Sequence, residues 1–162
     1  MKKLSIFLFI LLVGIIGITS GCGTQKADSE QQRIDLYAEV MESVFQAENG
    51  GDEFIAIKLD SLEGLSLEGK DIVLERFKDL SPNVYDFEDI KDDQSKFKFD
   101  GENLLGTIDG SLLWIELGEY KDNSAKIMGT SWFGNLGSVS IEYDAVLENG
   151  KWDLTEVSTM IS

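Results

Sequence analysis

The stretch Ser111-Leu112-Leu113-Trp114-Ile115-Glu116-Leu117-Gly118-Glu119 decides the fold. Leu113, Ile115 and Leu117 fall on one side of an extended chain, and Leu112, Trp114 and Glu116 fall on the other. A period of two is the signature of a β-strand. One side is wholly apolar and the other is mixed, so the spacing predicts a strand with one face on a core and the other partly open.

The same character extends in both directions. Phe97 and Phe99 alternate with Lys96 and Lys98, and residues 125–132, 138–147 and 152–161 form further strand-like runs. Between them stand Asp100-Gly101, Asp109-Gly110, Lys121-Asp122-Asn123, Gly134-Asn135 and Asn149-Gly150. Asp-Gly and Asn-Gly tolerate the positive φ angles of tight hairpin turns, so these separators predict an antiparallel meander.

Ahead of the meander the period changes. Between Glu30 and Ala47, residues Ile34, Tyr37, Met41, Val44 and Phe45 share a face with Val40 alongside, which predicts an amphipathic helix. Asp28 or Ser29 can cap its start, and Asn49-Gly50-Gly51 stops it. Phe54 to Leu59 reads as a short strand. Ser66 caps a second helix running to about Leu80, with Ile72, Val73, Phe77 and Leu80 as its stripe, and Ser81-Pro82 ends it. Residues 83–94 are acidic and irregular. The expected class is α+β: two N-terminal helices packed on a curved antiparallel sheet of four to five strands, in one acidic domain over residues 30–162. That order resembles the cystatin-like and nuclear-transport-factor-like α+β class, as does the closing hairpin Glu148-Asn149-Gly150-Lys151-Trp152 into a last strand. The resemblance is one of topology and carries no functional motif.

Charge narrows the partners. The net formal charge is −16, and Lys2 and Lys3 are the only charged residues before Cys22, so the chain from Cys22 onward stands near −18. Its Lys and Arg residues are scattered among Asp and Glu, which leaves no basic footprint for nucleic acid. With no histidine and one cysteine, His-dependent catalysis, the usual zinc sites and an intrachain disulfide are all excluded. No residue pattern calls for a cofactor.

The N-terminus has its own grammar. Met1-Lys2-Lys3 is a short positive start, Leu4 to Ile18 is almost wholly apolar, and Thr19-Ser20-Gly21-Cys22 follows. This is the order of an export signal over residues 1–21, with an apolar run of about 15 residues, shorter than a spanning helix needs. Ser20, Gly21 and Cys22 resemble the lipobox of bacterial lipoprotein precursors; Thr19 stands where leucine is usual. The resemblance implies cleavage before Cys22, lipidation of its sulfur with acyl groups such as palmitate, and anchoring on the extracytoplasmic face of the cell membrane. Two or more acyl chains hold such a protein firmly. Residues 22–29 read as a polar tether starting at the lipidated cysteine. The strings at 54–62, 81–87 and 131–137 also resemble uncharacterised lipoproteins of Gram-positive bacteria, which implies no activity.

Within the domain, Trp132-Phe133-Gly134-Asn135-Leu136-Gly137 is the most distinctive string. Two aromatics running into a glycine-rich turn suit the rim of a site for an apolar or carbohydrate-like ligand, and equally suit a plugged core end. Trp114, if it lies on the open face, joins Trp132 and Phe133 as a candidate binding residue. Asp86, Glu88, Asp89, Asp92 and Asp93 offer carboxylates of the kind Ca²⁺ needs, but not at EF-hand spacing, and a solvated acidic face explains them better. Glu116, Glu142 and Asp144 lie on expected strands and are the candidates for carboxylate chemistry. The expectation is a membrane-anchored extracytoplasmic lipoprotein acting as a non-enzymatic module that binds a small molecule or an envelope protein. The alternatives are a small carboxylate-dependent hydrolase and a structural accessory of an envelope assembly.

Overall fold

The structure, a computed structural model, describes residues 23–162, with side chains from Ser29 onward. The expected signal peptide and Cys22 lie outside the described residues. Helix α1 spans Gly23–Ala47, so the residues read as a tether after Cys22 are continuous with its N-terminal turns. It is followed by β1 (Phe54–Ile57), α2 (Leu67–Arg76), β2 (Val84–Asp86) and the single-turn α3 (Phe87–Ile90). Then come β3 (Phe97–Asp100), β4 (Asn103–Thr107), β5 (Gly110–Lys121), β6 (Ser124–Gly134), β7 (Gly137–Glu148) and β8 (Lys151–Ile161). Short 3₁₀ turns at Leu59–Ser61 and Phe77–Asp79 complete the connections.

The class is α+β, but the sheet is larger than expected and it is mixed. Eight strands form one curled sheet with path β2-β1-β5-β6-β4-β3, and β7 joins β6 to β8. The expectation of four to five antiparallel strands is corrected: β1 runs parallel to both β2 and β5. All four residues of β1 are buried, so its sequence carries no alternation to reveal a partner. Parallel pairing needs a long crossover, which α2 supplies between β1 and β2. The second helix is therefore inserted between strands and is not part of an N-terminal helical pair.

Several local signals act as read, but two do not: Asp28 and Ser29 lie inside α1 and do not start it, and Asp109-Gly110 joins β4 to β5, which do not pair with each other. Asn49 stops α1, its side-chain amide donating to Phe45 O at 3.0 Å while its Oδ1 accepts from Gly51 N–H at 3.1 Å. Ser66 Oγ caps α2 by accepting from Gly69 N–H at 3.1 Å. Asn149 and Gly150 have φ of 52° and 78°, the paired positive angles of a type I′ turn, and they close the β7–β8 hairpin.

The main core lies between α1 and one face of β5–β8. Ile34, Tyr37, Val40, Met41 and Val44 from α1 meet Leu113, Ile115, Ile127, Ile141 and Tyr143 from the sheet. Each such side chain contributes roughly 1.5–3 kcal/mol on full burial. A second, smaller core lies on the opposite face, where α3 and the β3–β4 hairpin cover one end of the sheet over Phe54, Ala56, Phe97 and Leu112. The helix thus covers the β5–β7 part of one face and the start of β8, leaving the end of β8 exposed, while the other face is covered only at one end.

Candidate binding face

Alternation sorts the long strands. On β5, Leu113, Ile115 and Leu117 join the helix-side core, which turns Leu112, Trp114 and Glu116 to the other face. The cross-strand register extends this into rows. Trp114 pairs with Thr130, Thr130 with Ser140, and Ser140 with Met160. The next row along runs Glu116, Met128, Glu142, Ser158. Bulges at Leu117/Glu119, Trp132/Gly134 and Glu142/Tyr143 add twist to these strands and curl the face.

Trp132 pairs with Leu112, which makes it the diagonal neighbour of Trp114, at a backbone spacing of roughly 7–8 Å. Both rings are half-buried and pack on the edge of the second core. Lys58 Nζ sits 4.2 Å from the centre of the Trp114 ring, and Trp114 Nε1–H donates to Glu116 Oε1 at 3.4 Å. Trp114 is therefore held between a cation on its face and a carboxylate at its edge. Lys58, just after β1, carries no local sequence signal for this role; only the parallel β1–β5 pairing brings it there.

Phe133 lies elsewhere. It occupies the bulge of β6, and a Cβ built on Gly50 would come within 2.3 Å of Phe133 Cβ. One built on Gly137 would come within 2.4 Å of its ring. The ring fills space that those two glycines leave, so the Trp132-Phe133 pair does not form a single rim with Trp114.

A shallow groove of about 350 Å³ continues the face, lined by Glu116, Leu117, Gly118, Lys126, Ile127, Met128 and Glu142. Glu116 and Glu142 stand two strands apart across Met128, a backbone separation of roughly 9–10 Å. Ser158 Oγ–H donates to Glu142 Oε2 at 3.1 Å, and Thr130 and Ser140 share a hydrogen bond of 2.8 Å. Asp144 lies on the same face, with Lys126 Nζ at 3.6 Å.

A separate groove of about 420 Å³ runs between α1, α2 and the β7–β8 turn, with Phe77, Leu80 and Trp152 below Asp35, Glu39 and Glu42. Asp35 is engaged by Arg76. Burial, then the charges of Glu42, Asp35 and Asp153, push the Glu39 carboxyl above its ordinary value, with Lys151 opposing.

The acidic stretch at 86–93 is used locally. Asp86 caps α3 by accepting from Glu88 N–H at 3.1 Å. Asp93 accepts from both the N–H and the Oγ–H of Ser95 and pairs with Lys96, and these hydrogen bonds hold its carboxyl down to about 2. Among the described residues no three Asp, Glu or Cys side chains converge as a metal would require, and no helix is long and apolar enough to cross a membrane. No known protein family, curated protein or solved structure matches the chain.

Proposed function

We propose that this chain is a lipoprotein anchored through Cys22 to the extracytoplasmic face of the cell membrane, and that its domain is a non-enzymatic binding module. The observation that carries the binding assignment is the placing of Trp114 beside Trp132 on the face that α1 does not cover. Aromatic surfaces recognise ligands well when one side is anchored and the other is open. The neighbours are Glu116, Glu142 and the hydroxyls of Ser140 and Ser158, with Thr130 buried and bonded to Ser140. A sugar ring matches that set, since its C–H face stacks on an aromatic while its hydroxyls donate to carboxylates. The ligand class is therefore carbohydrate-like.

Two measurements test this. Cells expressing the chain and fed labelled palmitate should label it, and Cys22→Ala should abolish the label and release the protein. A glycan array probed with the protein should give hits that Trp114→Ala and Trp132→Ala both remove. An array without hits, or hits untouched by both substitutions, would remove the tryptophan face from consideration.

A second reading rests on Glu116 and Glu142 flanking one groove. The strands that carry them are roughly 9–10 Å apart, a span across which two carboxyls can act on one bound glycan from opposite sides. It requires slow hydrolysis of a bound glycan that Glu116→Gln or Glu142→Gln stops without loss of binding.

A further inference from the structure

Strand β8 forms one margin of the sheet and, among the described strands, hydrogen-bonds to β7 alone. Ser162 and Ser138 exchange both backbone N–H···O bonds at 3.1 Å each. Hydrogen-bonding direction alternates along an antiparallel strand, so Ile161 and Thr159 turn their N–H and C=O groups away from β7. An edge of that kind is a template for another strand, and natural proteins blunt it with charge, proline or bulges. The first part of β8 is defended by Lys151, Asp153 and Glu156. Val157 is the extra residue of the Glu142/Tyr143 bulge, and between Ser158 and Ser162 no side chain is charged and none is proline, while Val157, Met160 and Ile161 are 53%, 55% and 69% exposed.

We propose that the outer edge of β8 from Thr155 to Ile161 accepts an extended segment of another protein as an added strand, and that this segment alternates apolar and basic residues. The backbone supplies the hydrogen bonds, and Val157, Met160 and Ile161 supply apolar contact. Charge selects the occupant. Glu156 lies on the strand itself, and Glu142 and Asp144 lie one strand inward, opposite Ser158 and Thr155. Glu156 adjoins an added strand directly, within one Debye length of roughly 8 Å at physiological ionic strength, and Glu142 and Asp144 add a weaker pull from two strand spacings away, roughly 9–10 Å, so Lys or Arg is favoured there. A second copy of this chain would bring the same acidic margin and a further charge of −16 against it. This surface is distinct from the Trp114–Trp132 face, and the proposal does not depend on that face binding anything.

The test uses the ¹⁵N-labelled full chain and a short synthetic peptide alternating valine and lysine. Amide shifts confined to β8 and its margin are expected. The same peptide N-methylated on its edge-facing amides keeps its charge but cannot join a sheet, and it should bind about tenfold more weakly or worse. A valine–glutamate peptide should not bind. Thr159→Pro removes an outward N–H at an edge position where proline is tolerated, and should weaken binding similarly. Equal binding of the N-methylated peptide would show simple charge attraction and overturn the proposal. So would shifts centred on Trp114, or sedimentation showing that the chain pairs with itself through β8.

Discussion

Gly129 of β6 lies directly beneath Val40 of α1, so close that a Cβ built on it would come within 2.7 Å of Val40 Cγ1. Val44 Cγ1 and the Val40 carbonyl oxygen follow at 3.1 and 3.2 Å. The position thus sets how near the helix approaches the sheet, and with it the depth of the main core. Gly129→Ala forces the helix outward or the valines off their rotamers, at a cost of about 1–3 kcal/mol. Urea denaturation should show a lower midpoint with unchanged slope. An alanine variant as stable as the parent would mean that α1 does not sit on β6 in this way.

Trp152 ties the last hairpin to the first helix. Its indole N–H donates to Gln32 O at 2.8 Å, and its ring, 5% exposed, lies 6.1 Å from that of Tyr120. Trp152→Phe should cost about 1–2 kcal/mol, through the lost indole hydrogen bond and the smaller ring. Trp152→Ala should cost about 3–5 kcal/mol. Iodide quenching of single-tryptophan variants gives a second check: Trp152 should be shielded while Trp114 and Trp132 are reached.

How much of this was legible in the sequence depends on where each residue's partner lies. Trp114 and Trp132 could be assigned to one face because each sits in an alternating strand, and the turns that bound their hairpins are marked by Lys121-Asp122-Asn123 and Gly134-Asn135. Phe133 escaped the same logic because a bulge at that point breaks the alternation. Phe54-Ile55-Ala56-Ile57 was recognisable as a strand, yet its parallel partners Val84–Asp86 and Gly110–Leu113 are distant and leave no mark on it. Lys58 follows from that same pairing, so its place on Trp114 was hidden for the same reason.

The Lys58–Trp114 contact should be measurable. An ammonium over an indole face contributes about 0.5–1 kcal/mol at a partly exposed site. Lys58→Met keeps the apolar stem and removes the charge, so it should lose roughly that much and no more. The emission of Trp114 should shift in the same variant. If Lys58→Met leaves both stability and emission unchanged, the cation does not rest on the ring.

Two carboxyls shifted in opposite directions give opposite pH dependences. Asp93 is held near 2, below its ordinary 3.8, so its contribution to stability is complete above about 3.8 and is lost as pH falls toward 2. Glu39 is raised above 4.5 by burial and by Glu42, Asp35 and Asp153. Its neutral form suits the fold, so stability is greatest below 4.5 and declines as pH rises through the raised value. Glu39→Gln removes that titration. Because Glu39 is largely open to solvent, the gain at neutral pH should be modest, about a few tenths of a kcal/mol. Melting temperatures of the parent and Glu39→Gln should coincide near pH 4 and separate toward pH 7, with the variant higher. The reverse order, with the variant melting lower at pH 7, would mean that the Glu39 carboxylate is stabilised by a cation and is not crowded by its acidic neighbours.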